Sequence, residues 1–207
     1  MKITKIQKIA RKNKYQIYVD NNYAFSLSKK ALDKFGLTTG KQIESENLSE
    51  LTERVELYEG EKAILDLLDY RFRSKGEIQN KLKSKNFSPL VIEKLINKFE
   101  TLGFINDSNF AEMYLRDLIK FHPEGKILLR NKLRSKGISS EIIDLVLEEN
   151  LTAEVEQEMA DRLLKKKLRS LERFEPKKRK QKALAFLQRK GFPYRIAKNS
   201  FDDLFED

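Results

Sequence analysis

From about residue 48 onwards apolar residues recur at helical spacing, and the pattern repeats along the chain. Three segments, Ile78 to Phe87 (IQNKLKSKNF), Leu129 to Ile138 (LRNKLRSKGI) and Ala183 to Phe192 (ALAFLQRKGF), stand at offsets of 51 and 54 residues. Each sets an apolar pair four apart, Ile78/Leu82, Leu129/Leu133 and Ala183/Leu187, which puts both members on one helical face. Each then ends in Lys, followed by Asn or Gly and a large apolar residue, as a helix with a left-handed stop does. A first helix precedes each segment with an Ala and a Leu four apart, at Ala63/Leu67, Ala111/Leu115 and Ala160/Leu164, offset by 48 and 49. A third helix follows with Val91, Ile92, Leu95 and Ile96, then Ile142, Ile143, Val146 and Leu147, then Ile196, Ala197 and Phe201. Ser88 before Pro89 predicts an N-cap with proline at the first helical position, and Ser139 takes the equivalent place one unit later. The third unit diverges most, with Ser200 where Leu95 and Val146 stand, as expected of a terminal repeat facing solvent.

The first 47 residues follow a period of two instead. Ile3, Ile6 and Ile9 lead through a polar Arg11 to Lys14 turn into the alternating run KYQIYVD, an Asn21-Asn22 turn and the short YAFSL. This predicts two or three strands in a small β element. Ser28 then caps a short helix through Phe35, with Gly36 as its left-handed stop.

Charge changes the picture from packing to partners. Among 207 residues, 42 Lys and Arg stand against 32 Asp and Glu, a net charge of +10. That surplus points to a polyanion, with nucleic acid ahead of a membrane, because no apolar run approaches the roughly 18 residues of a spanning helix. The opening MKITKIQKIARK is charged throughout and has no signal pattern, so a cytoplasmic protein is expected. The charge is also segregated. Arg71 to Asn86 holds Arg71, Arg73, Lys75, Lys81, Lys83 and Lys85 against Glu77, net +5. Glu124 to Gly137 holds five bases against Glu124, net +4, and Lys177 to Gly191 holds seven against none. Ser139 to Asn150, a third helix, carries Glu141, Asp144, Glu148 and Glu149 and no base. Lys75, Lys126 and Lys180 keep one register before the second helix, and Lys85, Lys136 and Lys190 keep another at its end.

Two helices joined by a Gly-containing turn also suit a helix-turn-helix reader of duplex DNA. There the second member must present Arg, Lys, Asn or Gln to base edges. Here that member is neutral in unit one and acidic in unit two, so phosphate would repel it, whereas the basic helices suit salt-dependent backbone contact. No catalytic constellation stands out. Neither a nucleophile elbow nor a Walker-type phosphate loop is present, and without cysteine and with His122 alone neither a thiolate site nor an imidazole cluster can form. No cofactor or metal is expected, and an enzyme is not. His122, beside Pro123, reads as a solvated loop residue, and Asp107 as a helix N-cap.

Tyr70-Arg71-Phe72-Arg73-Ser74 with Glu77 and Leu82, Gly103-Phe104-Ile105-Asn106-Asp107 with Phe110-Ala111, and Gly125 with Leu133 and Lys136-Gly137-Ile138 closely resemble the RecX family of bacterial recombination regulators. The resemblance covers roughly residues 58–150 well and is weaker over the third unit and the N-terminus. It departs at Asn86, where a glycine is common and where Asn also visits the left-handed region. What it implies is tandem three-helix repeats that bind the RecA recombinase, lie along the groove of its nucleoprotein filament and usually inhibit strand exchange and ATP hydrolysis. It carries over no catalytic residue. Arg71, Arg73, Asp107, Phe110, Gly125 and Lys136-Gly137 match the family pattern, with Phe110 expected in the core, Gly125 and Gly137 in turns, and Arg71 and Arg73 in function.

The resulting expectation is a mainly α chain of three tandem three-helix repeats in an elongated curved array, behind a small β element. The elements fall at residues 1–47, 48–104, 105–150 and 151–207. A RecA- and DNA-binding stripe is expected at Arg71, Arg73, Lys75, Lys83, Lys126, Arg130, Arg134, Lys136, Lys180 and Lys190. The expected partners are the RecA filament and single-stranded DNA, with double-stranded DNA second and no membrane, and the chain is expected to be a monomer. The alternative is an architectural or regulatory DNA-binding protein that acts without RecA.

Overall fold

The N-terminal alternation becomes a three-stranded antiparallel sheet of β1 (Ile3–Lys8), β2 (Lys14–Val19) and β3 (Asn22–Ser28), in that order. The structure, a computed structural model, describes residues 1–10, 13–44 and 47–205. The expected Arg11 to Lys14 turn lies partly outside them, because Arg11 and Lys12 are not described. Ile17 pairs with Ile6 on one side and Phe25 on the other, and Ile3, Ile17, Val19, Phe25 and Leu27 point to the same buried face. The β2–β3 turn sits one residue earlier than the sequence suggested. Asp20 and Asn21 are its centre, with φ of 47° and 68°, and Asn22 already pairs with Val19. Asp and Asn are the non-glycine residues that tolerate the two positive φ values of a tight hairpin.

The sheet packs on α1 (Lys29–Lys34) and the first half of α2 (Asn47–Tyr70) through Ala31, Leu32 and Val55. Ser28 caps α1 through the Ala31 N–H, and Gly36 closes it at φ +56°, as expected. The 24 residues of α2 then serve a second core. Ala63 and Ile64 pack with α3 (Lys75–Ser84) and α4 (Pro89–Thr101) around Ile78, Leu82, Val91, Leu95 and Ile96. Two glutamates of α2 tie the pieces together. Glu59 accepts the Ser28 N–H at 2.9 Å and hydroxyl at 2.5 Å, and Glu56 accepts the Ser88 N–H at 3.2 Å and hydroxyl at 2.7 Å. Ser88 therefore stands at the N-cap position, but its hydroxyl serves α2 and not its own helix.

The remaining helices are α5 (Asp107–Phe121), α6 (Lys126–Ser135), α7 (Ser140–Asn150), α8 (Ala153–Leu171), α9 (Pro176–Arg189) and α10 (Tyr194–Phe205). They share one continuous core that runs from Phe110 to Phe201. All six members of the repeated apolar pairs are fully buried, so the period read in the sequence is the core face. Two local expectations change. Asn106 is the N-cap of α5 through the Asn109 N–H, while Asp107 accepts the Lys75 N–H at 2.8 Å. Ser200 is 1% exposed and not solvent-facing, because Gln157 of α8 donates to its hydroxyl at 2.7 Å. A buried hydroxyl is tolerable once so paired.

The chain forms two compact units, residues 1–73 with 78–105, and residues 74–77 with 106–207. The division falls inside α3, whose first turn belongs with α5 and α6. No helix among the described residues is long and apolar enough to cross a membrane.

Candidate functional site

The Lys-Gly pairs that end the second helices are packing joints. Gly76, at the start of α3, lies so close to the end of α6 that a Cβ there would stand 2.7 Å from the Lys136 carbonyl oxygen and 2.9 Å from the Gly137 Cα. Ser74 donates its hydroxyl to that same carbonyl at 2.5 Å, and the Lys136 ammonium meets Glu77 at 2.9 Å. The arrangement recurs one repeat later. Gly125, at the start of α6, donates its N–H to the Lys190 carbonyl at 2.8 Å, and a Cβ on Gly125 would stand 2.0 Å from the Gly191 oxygen. Lys190 then reaches Glu124 at 3.5 Å. Gly125 is thus required by close backbone approach and not by a turn, since its φ is an ordinary −70°. Gly137 and Gly191 are left-handed at φ +81° and +85°, and so is Asn86 at +62°.

Most of the ten stripe residues have neighbours inside the fold. Arg130 of α6 forms an ion pair with Asp144 of α7, which is where an acidic third helix meets a basic second one. Lys180 of α9 bonds Asp202 of α10 at 2.9 Å, and Lys198 takes the other oxygen of that carboxylate at 2.9 Å. The hydrogen bond from Lys180, then that from Lys198, holds the Asp202 carboxyl below its ordinary range. Lys136 and Lys190 are held as above, and the Lys136 ammonium also lies 5.4 Å from the Tyr114 ring centre. Arg71 donates to the Phe72 carbonyl at 2.7 Å. Arg73 and Lys75 are half-buried, and Arg73 has a buried Nε without a hydrogen-bond partner. Lys83, Lys126 and Arg134 are exposed and, among the described residues, form no ion pair, as is also true of Lys81 and Lys85.

The largest set of exposed cations lies elsewhere, on the second half of α8 and on α9. Lys165, Lys166, Lys167 and Arg169 of α8 and Lys177, Lys178, Lys182 and Arg189 of α9 all face solvent. A comparison of second helices by register passes over the first four, because their signal is a KKKxR run on a first helix.

Three three-helix bundles, each with a basic second helix, follow one small sheet and define a helical-repeat protein. The family models agree with that architecture segment by segment. The RecX N-terminal domain of the regulatory protein matches residues 1–44, and the first, second and third three-helix domains of RecX match residues 62–99, 106–147 and 154–199. The chain belongs to the RecX family of regulatory proteins. It is 33% identical over 204 residues to "Regulatory protein RecX" of Bacillus subtilis, covering 98% of this chain and 76% of that one. It is 31% identical to the protein of that name from Listeria monocytogenes, covering 96% and 74%. A solved structure, "Crystal structure of regulatory protein RecX", superposes with a TM-score of 0.70 at 30% identity over 97% of this chain and 98% of that one. RecX from Lactobacillus salivarius gives 0.67 at 28% identity over 72% and 96%.

Proposed function

We propose that this chain is a noncatalytic regulator of the RecA recombinase in the cytoplasm. It binds the filament that RecA forms on single-stranded DNA and lowers its ATPase, strand exchange and growth. The observation that carries this reading is the match of all four RecX domains along one chain, together with 33% identity to a regulatory protein RecX over nearly its whole length. Exposed cations on successive second helices, Lys83 on α3 and Lys126 and Arg134 on α6, support it as contacts to filament phosphates or to acidic recombinase surface. Arg130, Lys136, Lys180 and Lys190 support it less directly, since their ion pairs orient the helices that carry the exposed ones.

A regulator of this kind acts by preferring one filament state over another. It can shift that equilibrium only by its differential affinity, so a tenfold suppression of turnover requires about 1.4 kcal/mol of preference for the less active state. The test is RecA ATPase on single-stranded DNA, titrated with the wild type and with the Lys83→Glu/Lys126→Glu/Arg134→Glu variant. The wild type is expected to inhibit to a plateau that needs more protein as salt rises, and the variant to require about tenfold more at the same salt. A wild type that changes neither the ATPase nor the filament length at low salt sinks the reading and leaves DNA binding without RecA in its place.

A further inference from the structure

Between the C-terminal half of α8 and α9 lies a cavity of about 330 Å³. Its lining includes four cations, Lys167, Arg173, Lys182 and Arg189, and two phenyl rings, Phe174 and Phe186, with no carboxylate. None of the four cations forms an ion pair among the described residues, and all four are exposed. This sets them apart from Lys180 of α9 and Lys190 at its C-cap, which are held by Asp202 and Glu124. The rings are half-exposed, with Phe186 packed in part on the core, and cationic side chains lie near both. Lys182, Arg173 and Lys178 lie 4.6, 5.1 and 5.8 Å from the Phe174 ring centre, and Lys167 lies 5.3 Å from that of Phe186. The loop that presents Phe174 is fastened by Arg179, whose guanidinium donates to the carbonyls of Glu172 at 3.0 Å and Phe174 at 3.2 Å.

The geometry points to this groove as a binding site for single-stranded nucleic acid, with phosphates on the four cations and an unstacked base against Phe174 or Phe186. Two features select that ligand. Unpaired cations around aromatic faces reproduce the combination by which sequence-tolerant single-strand sites work, a backbone-tracking positive groove with stacking platforms. Ammonium and guanidinium groups resting on a ring leave it for a phosphate at small cost, since a cation–π contact at an exposed site is weak. A duplex keeps its bases stacked inside and can use the cations but not the rings. An acidic peptide would use the cations and is not favoured by two adjacent ring platforms. The site deepens the proposed function by placing a direct DNA contact in the third three-helix domain, but it needs no recombinase to be tested.

The experiment measures anisotropy of the full-length protein with a labelled oligothymidylate, an abasic strand of equal phosphate number and a duplex, across a salt series. The Lys167→Glu/Lys182→Glu/Arg189→Glu variant should bind oligothymidylate at least about tenfold more weakly and lower the slope of log affinity against log salt by roughly 2, at about 0.7 per phosphate lost on a single strand. Phe174→Leu, which keeps an apolar group, and the abasic strand should each lose about fivefold or more, the lower end of what one stacked base contributes. A reversal of equal charge on the sheet domain, Lys8→Glu/Lys14→Glu/Lys30→Glu, should change affinity far less; all three lysines are exposed. The proposal is overturned if the abasic strand or the duplex binds as tightly as oligothymidylate, if the sheet-domain reversal is as damaging as the groove reversal, or if polyglutamate of equal charge competes equally well. A wild type that does not bind bare strands but still suppresses the RecA ATPase overturns this site and leaves the proposed function standing. The converse result separates them the other way.

Discussion

Replacing Gly125 by Ala tests the joint at which the end of one second helix receives the start of another. The backbone conformation makes no demand for glycine there, since φ is −70°, so any cost is steric. The added Cβ would stand 2.0 Å from the Gly191 oxygen, 2.2 Å from its carbonyl carbon and 2.5 Å from the Phe192 nitrogen. All three are backbone atoms that cannot turn aside, so α6 and the end of α9 must part by an ångström or more. Forcing one carbon into a close-packed contact costs about 1–3 kcal/mol. Parting the helices also weakens the 2.8 Å bond from the Gly125 N–H to the Lys190 carbonyl, about 1 kcal/mol more. The expected loss is roughly 2–4 kcal/mol, a shift of about 1 M in the urea midpoint for a slope near 2–3 kcal/mol per molar. Urea unfolding followed by helical circular dichroism measures it, and the shift should appear in the transition of the unit that holds residues 106–207. A loss below about 0.5 kcal/mol, the level of an ordinary surface substitution, refutes the reasoning.

Asn86 and Gly137 share a left-handed backbone but not an environment, so Asn86→Gly should leave stability within about 0.5 kcal/mol, whereas Gly137→Asn, whose Cβ would meet the Gly76 Cα at 2.9 Å, should lose about 1–3 kcal/mol in the same urea assay. Lys136→Ala removes an ammonium paired with Glu77 in a half-buried place and should lose up to about 1 kcal/mol, while Lys83→Ala, on an exposed position, should be neutral in stability and weaken filament binding instead. The Asp202 carboxyl is held below its ordinary 3.8, so the unfolded chain takes up that proton first as pH falls. Its contribution is complete above 3.8 and is lost as pH falls through the lowered native value, and Asp202→Asn should remove this part of the acid-unfolding curve in a circular dichroism titration.

The second-helix faces were legible because burial imposes a period, and Ile78/Leu82, Leu129/Leu133 and Ala183/Leu187 satisfy it with full burial. The left-handed stops at Gly36, Asn86, Gly137 and Gly191 were legible because few residues adopt positive φ. The reason for repeating Lys136 and Lys190 was not legible. Their partners Glu77 and Glu124 lie far away in sequence, so an internally repeated register of charge looked like a presented surface when it also serves packing. The α5 cap is Asn106 and not Asp107, whose carboxylate instead accepts the Lys75 N–H from 32 residues away, a tertiary contact that local sequence does not reveal. The α8–α9 groove escaped a comparison of second helices because it joins the first and second helices of a single repeat.

The proposed function rests on this protein acting on RecA assembled on DNA. The most direct measurement compares its affinity for RecA-coated single strands with that for the same strands bare, at one salt concentration and in the presence of a nonhydrolysable ATP analogue. Tighter binding to the coated strand is expected, by about tenfold or more, with a shallower dependence on salt than on bare DNA because part of the proposed interface is protein. Equal or weaker binding to the coated strand would contradict it.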